Sequence, residues 1–183
     1  MKKLRLLSAA FVLLSISTSS CKKIVSAVFP GTDVTIPPVA VTLPPVLAVT
    51  ASEQNFGSYV QQINLDSTIR ASTAGVFGAN VVSTINIKQV TISLSNGDAL
   101  NNLSNFESGR VTLTASNNNV PIELFNITFP DTNISTYTFT PPNNVELLPY
   151  LKGGSITYTV YGKSRRITSK PLQMQVSVIV RAN

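Results

Sequence analysis

The chain has 183 residues, 12% of them charged and 43% hydrophobic, and a formal net charge of +6. It has no histidine and one cysteine, so the commonest general base and metal ligand is missing and no thiol pair exists for a disulfide or a zinc site. Charge is sparse while Asn, Ser, Thr and Val are abundant, a composition suited to exposed strands and turns rather than long helices.

Lys2, Lys3 and Arg5 open the chain, Leu6 to Ile16 is apolar, and Ser17 to Ser20 is a run of small residues. This is the layout of an export signal over residues 1–20, with an apolar core shorter than the ~20 residues a membrane span needs. Cys21 follows at once. A lone cysteine in an exported chain has no disulfide partner, and its place after small residues reads it as the acylated first residue of the mature protein. The stretch Ile16-Ser17-Thr18-Ser19-Ser20-Cys21 resembles a lipobox, and serine before the cysteine with Lys22-Lys23 after it resembles lipoproteins of the Bacteroidota. That resemblance implies a lipid anchor on Cys21, so the rest of the chain needs no membrane-binding surface of its own. Surface-displayed lipoproteins of that phylum often carry an acidic stretch after the cysteine. Here Lys22-Lys23 stands there, and the expected location is the outer membrane, on its periplasmic face, with the cell surface as the alternative.

Lys2, Lys3 and Arg5 would leave with the signal, taking 14 Lys and Arg to 11 against 8 Asp and Glu. The mature chain is close to balanced, and nucleic acid is not an expected partner. Residues 21–50 carry Pro30, Pro37, Pro38, Pro44 and Pro45, with a near-repeat of seven between Val34 to Val39 and Val41 to Val46. Proline excludes a central strand and allows an edge strand. The segment reads either as a stiff tether or as an edge strand lying on the domain, which is placed at residues 51–183.

Asn55 to Asn64 reads as a strand, and Asp66 to Ser72 as one or two helical turns capped by Asn64 or Asp66. In Val81 to Ser95, Ile85 and Ile87 share one parity while Val90, Ile92 and Leu94 share the other. The inward face therefore changes near Lys88-Gln89, through a bulge or a change of sheet. A turn at Asn96-Gly97-Asp98 leads to a short helical excursion over Ala99 to Asn105. Strands follow at Gly109 to Ala115, Pro121 to Phe129 and Ile134 to Thr140. Asn143 with Glu146 matches a capping box and predicts a short helix there. Ser155 to Gly162 and Pro171 to Arg181 read as a hairpin, the second strand placing Leu172, Met174, Val176, Val178 and Val180 on one face. The whole predicts an all-β, antiparallel, immunoglobulin-like sandwich of seven to eight strands with one to three short helices.

The stretch Leu148-Pro149-Tyr150-Leu151-Lys152-Gly153-Gly154, followed by Ile156 to Gly162, resembles an uncharacterised family of Bacteroidota lipoproteins with an all-β domain, over about residues 50–183. The strand pattern is also similar to the sandwich domain of late-embryogenesis-abundant and water-stress proteins. These motifs are structural and imply neither a catalytic residue nor a ligand.

No Gly-x-Ser-x-Gly occurs, and the seven carboxylates after Thr50 form no D-x-D or similar cluster. No catalytic residue, metal site or cofactor is assigned. Lys163, Arg165, Arg166 and Lys170 fall at the tip of the expected hairpin. They read either as a contact for phosphate or carboxylate groups, on a lipid head group, an acidic glycan or a partner, or as a solvated basic turn. Tyr137, Tyr150, Tyr158 and Tyr161 read as a sugar-stacking surface or as packing residues. Asp66-Ser67-Thr68 resembles the acceptor for O-linked glycan in Bacteroidota, with Ser67 modified, and reads equally as a helix cap. The expectation is a lipid-anchored, non-enzymatic module that binds or scaffolds another envelope component, the alternative being a carbohydrate- or small-ligand-binding lipoprotein.

Overall fold

A computed structural model describes residues 29–183. Eight strands form: β1 (Thr32–Leu43), β2 (Gln54–Gln62), β3 (Ile85–Leu94), β4 (Phe106–Ala115), β5 (Asn118–Thr128), β6 (Thr136–Phe139), β7 (Ser155–Ser164) and β8 (Leu172–Ala182). Two short helices, α1 (Leu65–Ser72) and α2 (Leu148–Leu151), sit in the connections. The strands make two antiparallel sheets, ordered β1-β8-β3-β6 and β2-β7-β4-β5. This is the all-β antiparallel sandwich the alternating residues predict. Its strand order is that of a jelly roll, which refines the immunoglobulin-like expectation.

Burial follows the period of two. Leu172, Met174, Val176, Val178 and Val180 of β8 are buried, as are Ile156, Tyr158 and Val160 of β7. The two sets meet across the core, so the strand parity read from sequence is the true one. The expected hairpin is not. β7 pairs with β2 and β4, whereas β8 pairs with β1 and β3. Alternation tells which face of a strand is buried, not which strand lies beside it, and residues 165–171 pass from one sheet to the other.

Three irregularities have local causes. The register shifts between Ile87 and Gln89, where the parity of the apolar residues breaks. In β5, Val111 faces Phe125 while Thr112 faces Glu123. Leu124 is thus the extra residue, and it is buried next to Phe125. In β1 the shift falls between Ile36 and Val39. Pro37 and Pro38 occupy that bulge, where the ladder asks for no N–H. Residues 32–43 are thus an edge strand paired to β8, and the sandwich starts at Thr32 rather than at residue 51.

The two edge strands on this side, β1 and β2, are tied together. The Tyr59 hydroxyl donates to Thr42 O at 2.8 Å and Gln61 Nε2 donates to Pro37 O at 2.6 Å. α1 is capped by Asn64, whose Oδ1 accepts from Ser67 N at 2.9 Å. The capping box expected at Asn143 and Glu146 does not form. α2 begins at Leu148, and the Glu146 carboxylate instead accepts from Ile85 N at 2.9 Å and Leu148 N at 2.8 Å.

Jelly-roll wrapping has one consequence for function. The connections 44–53, 95–105, 129–135 and 165–171 all cross between sheets at the same end of the sandwich. The opposite end holds Thr32, where β1 starts, with α1, the β4–β5 turn and α2.

Candidate functional site

The crossing end is built on buried polar side chains. Asn101, Asn102, Ser104, Asn105 and Thr168 are all buried. Buried amides and hydroxyls persist only with partners, and here the partners are the loops themselves. Asn105 Nδ2 donates to Leu100 O at 3.0 Å and to Ile167 O at 2.8 Å, while its Oδ1 accepts from Asn102 N at 3.0 Å. Asn101 Oδ1 accepts from Ser169 N at 2.8 Å. Thr168 Oγ1 accepts from Val46 N at 2.8 Å, and Thr168 N donates to Val46 O at 3.1 Å. Three of the four crossings are thereby fixed side by side.

The basic residues singled out in the sequence belong to this framework. Arg165 donates to the carbonyl oxygens of Ser104, Phe106 and Phe129 at 3.0, 3.3 and 3.1 Å. Arg166 pairs with Asp131 at 2.6 Å and Lys170 with Asp98 at 2.7 Å. Lys163 lies on β7 and pairs with Glu107 at 2.9 Å. The four cations therefore do not converge on one point, and each has an internal partner. The Lys170 ammonium, with hydrogen bonds from Asn101 and Leu100 N, holds the Asp98 carboxyl well below the usual carboxylate range.

What the framework presents to solvent is apolar. Leu47 is 87% exposed, Leu100 80%, Ile167 59% and Val49 52%. These are four of the seven large apolar side chains that stand in solvent among the described residues, and all four lie on the crossings. Leu100 and Ile167 are the residues whose carbonyls share Asn105, and Leu47 follows Val46, which Thr168 holds. Four exposed aliphatic side chains on crossings at one end of the sandwich make that end the most apolar part of its described loops. The sequence carries a signal for them that went unread: single aliphatic residues inside polar or proline-rich turns.

The tyrosines are packing residues. Tyr158 is buried, its hydroxyl donates to Gln61 Oε1 at 3.1 Å, and burial pushes its ionisation up. Tyr150 donates to Val120 O at 3.2 Å. Tyr137 stacks on Phe139 with centroids 5.7 Å apart. Tyr161 lies under the Arg110 guanidinium at 4.1 Å, and Glu53 holds that guanidinium from the side. Tyr137 lies on β6, Tyr150 on α2, and Tyr158 and Tyr161 on opposite faces of β7, so they make no shared stacking surface. Ser67 is exposed in α1 at the opposite end, next to Asp66, which pairs with Arg70 at 2.7 Å and accepts from Ala79 N at 2.9 Å. Between the sheets, Phe56, Phe106, Phe129 and Met174 line an apolar void of about 30 Å³.

Among the described residues no group of three or more His, Cys, Asp and Glu side chains is placed to hold a metal ion, and no helix is long and apolar enough to cross a membrane. The expected export signal over residues 1–20, Cys21 and Lys22-Lys23 lie outside the described residues.

No protein-family model matches this chain, and no curated protein sequence does. Solved structures with a similar course include the family 32 carbohydrate-binding module of NanJ from C. perfringens, solved with galactose. It is 12% identical, with a TM-score of 0.34, covering 80% of this chain and 98% of that one. The decameric capsid protein of BFDV is 7% identical with a TM-score of 0.32, covering 84% of this chain and 98% of that one. The structure of Tomato Aspermy Virus is 9% identical with a TM-score of 0.27, covering 79% and 76%. At this level of similarity no residue role and no ligand is carried over.

Proposed function

We propose that this protein is a lipid-anchored, non-enzymatic component of the cell envelope that binds or scaffolds an envelope protein through the crossing end of its sandwich. The observation that carries the reading is the set of exposed Leu47, Leu100 and Ile167 on loops held by the buried Asn105 and Thr168. Rigid, preordered apolar tips lose little entropy on docking, which is what a contact surface needs. Every charge around them is paired inside the domain, so the surface offers a partner apolar area rather than a charged field. The sandwich begins at Thr32 of β1, at the end remote from the crossings. Over a strand of 12 residues that separation is about 40 Å. Lys22-Lys23 after the cysteine supports the periplasmic face of the outer membrane.

The test is in-cell crosslinking of the anchored protein followed by mass spectrometry, with Leu47→Asp/Leu100→Asp and Cys21→Ser as comparison forms. Both loop side chains are exposed, so the double variant keeps its melting temperature. The expected result is one specific envelope protein recovered from the anchored wild type and lost from the double variant. Equal recovery from the double variant would overturn the assignment of the crossing end.

A further inference from the structure

The outer face of the sheet β1-β8-β3-β6 has a composition unlike the rest of the surface. Its outward side chains are mainly Thr, Ser and Gln, with Asn86 near one end and Pro37, Pro38, Ala40 and Ile179 as the apolar members. Charge occurs only at one end, where Asp33 pairs with both Lys88 and Arg181. From Thr35 to Thr42 along β1, and across β8, β3 and β6 beside it, no outward side chain is ionised at neutral pH. The outer face of the other sheet carries Glu53, Arg110, Glu123, Glu107 and Lys163 around its hydroxyls. Exposed sheet faces ordinarily keep mixed charge for solubility, so the contrast within one molecule is informative.

The register aligns these side chains in rows. Gln175 faces Ala40 on one side and Ser93 on the other, and Ser93 faces Thr136. Thr91 faces both Ser177 and Thr138. Rows cross the sheet at about 4.8 Å per strand and succeed one another at about 6.8 Å along it. Two pairs are closed internally, Thr42 with Gln173 and Thr91 with Thr138, both at 3.0 Å. The side chains of Thr35, Ser93, Thr136, Gln175 and Ser177 make no hydrogen bond among the described residues. Each hydroxyl and amide both donates and accepts.

We propose that this face binds a neutral polysaccharide laid across the strands. A charged polymer has no countercharge here. A protein partner would find only Pro37, Pro38, Ala40 and Ile179 as apolar contacts, with no large aromatic or aliphatic anchor except Ile179, too little for the desolvated core such interfaces require. A bilayer would find neither a basic rim nor an apolar tip. A chain of sugar hydroxyls matches rows of groups that donate and accept at every position, and its charge matches the face in being zero. The site is distinct from the crossing end, and neither depends on the other.

The test is electrophoresis of the lipidated full-length protein, in a polyoxyethylene detergent, through native gels cast with dextran, laminarin, mannan or galactan, with alginate as the acidic polymer. The expected result is retardation in at least one neutral gel and none in alginate. Gln175 is exposed at the middle of the face. Gln175→Glu and Gln175→Lys should each weaken the apparent affinity about tenfold without a change in melting temperature. Thr114→Glu, on the outer face of the other sheet, should leave it unchanged. Migration unaltered in all four neutral gels, retardation in alginate as strong as in the neutral gels, or retardation of both Gln175 variants as strong as that of the wild type would overturn the proposal. Loss of the crosslinked protein partner in the Leu47→Asp/Leu100→Asp form, with glycan retardation intact, would show the two sites to be separate.

Discussion

The side-chain amide of Asn105 donates a hydrogen bond of 2.8 Å to the carbonyl of Ile167, across 62 residues of sequence. The same nitrogen donates to Leu100 O at 3.0 Å. One buried amide thus sets the spacing of two loops whose side chains stand in solvent. Removing it changes nothing that a partner touches, yet it releases the geometry of what the partner would touch.

Asn105→Ala strands Asn102 N, Leu100 O and Ile167 O without a partner, at a cost of about 3 kcal/mol. Asn105→Asp keeps the acceptor but turns the donor edge into an acceptor facing two carbonyl oxygens, and it should be no better than alanine. Thermal melts check the magnitude. Hydrogen exchange should quicken over residues 96–105 and 165–171 while β8 stays protected. A variant with unaltered exchange in both loops would show that Asn105 does not hold them.

Val176 and Gln175 are neighbours in β8 with opposite surroundings, one buried in the core and the other exposed. Val176→Asp buries an unpaired carboxylate and should cost on the order of 4 kcal/mol or more, enough to unfold the domain. Gln175→Asp should melt close to wild type. Matching melting temperatures for the two would refute the inward face assigned to β8.

The parity of β8 and the face change of β3 at Lys88-Gln89 were legible in the sequence because both follow from one physical rule, alternation on a pleated strand. That α1 is capped by a short polar side chain was legible for a similar reason, with Asn64 and Asp66 both fitting, and the fold uses Asn64. Strand partners were not legible. β7 and β8 are consecutive and both amphipathic, and nothing local separates a hairpin from a crossing between sheets. The basic residues at 163–170 looked alike in sequence, but Arg165 spends its donors on three carbonyls while Arg166 and Lys170 meet Asp131 and Asp98. Those partners come from other loops, which only the fold brings near. For the same reason Asn101, Asn102 and Asn105 read as turn residues, although they are the buried framework of the crossing end.

Asp98 has its carboxyl held below the ordinary aspartate value of 3.8, first by Lys170 and then by Asn101 and Leu100 N. A carboxyl lowered in the folded state contributes stability that is fully present above its unfolded value and is lost as pH falls through the folded one. The crossing end should therefore behave identically from pH 7 to about 4.5 and loosen below about 3.8. Exchange of residues 96–105 followed against pH checks this. Asp98→Asn should already be loosened at pH 7 and should show a shallower acid limb. An acid limb equal to wild type would assign the loosening to other groups.

Ser164 Oγ is buried and has no hydrogen-bond partner among the described residues. A hydroxyl left in this state costs about 1–3 kcal/mol relative to its solvated form. Ser164→Ala removes it with little change of shape and should stabilise the fold by roughly 1 kcal/mol, or about 2–4 °C in melting temperature for a chain of this size. A lower melting temperature would mean that the hydroxyl is bonded after all, through an internal water.

Cys21 is the one thiol of the chain, and it follows a run of small residues behind an apolar segment too short to span a bilayer. If it carries the anchor, Cys21→Ser should abolish lipid attachment. The protein should then appear in the soluble envelope fraction or remain unprocessed, larger by the export signal. Each buried methylene contributes about 0.8 kcal/mol, and two chains are needed for stable anchoring, so losing the lipid should empty the membrane fraction rather than thin it. The check is fractionation with an immunoblot, read beside the melting temperature of the released form. That form should melt as the wild type does, because the sandwich starts at Thr32. An unchanged membrane fraction would sink the lipoprotein reading and with it the assignment of the partner to the envelope.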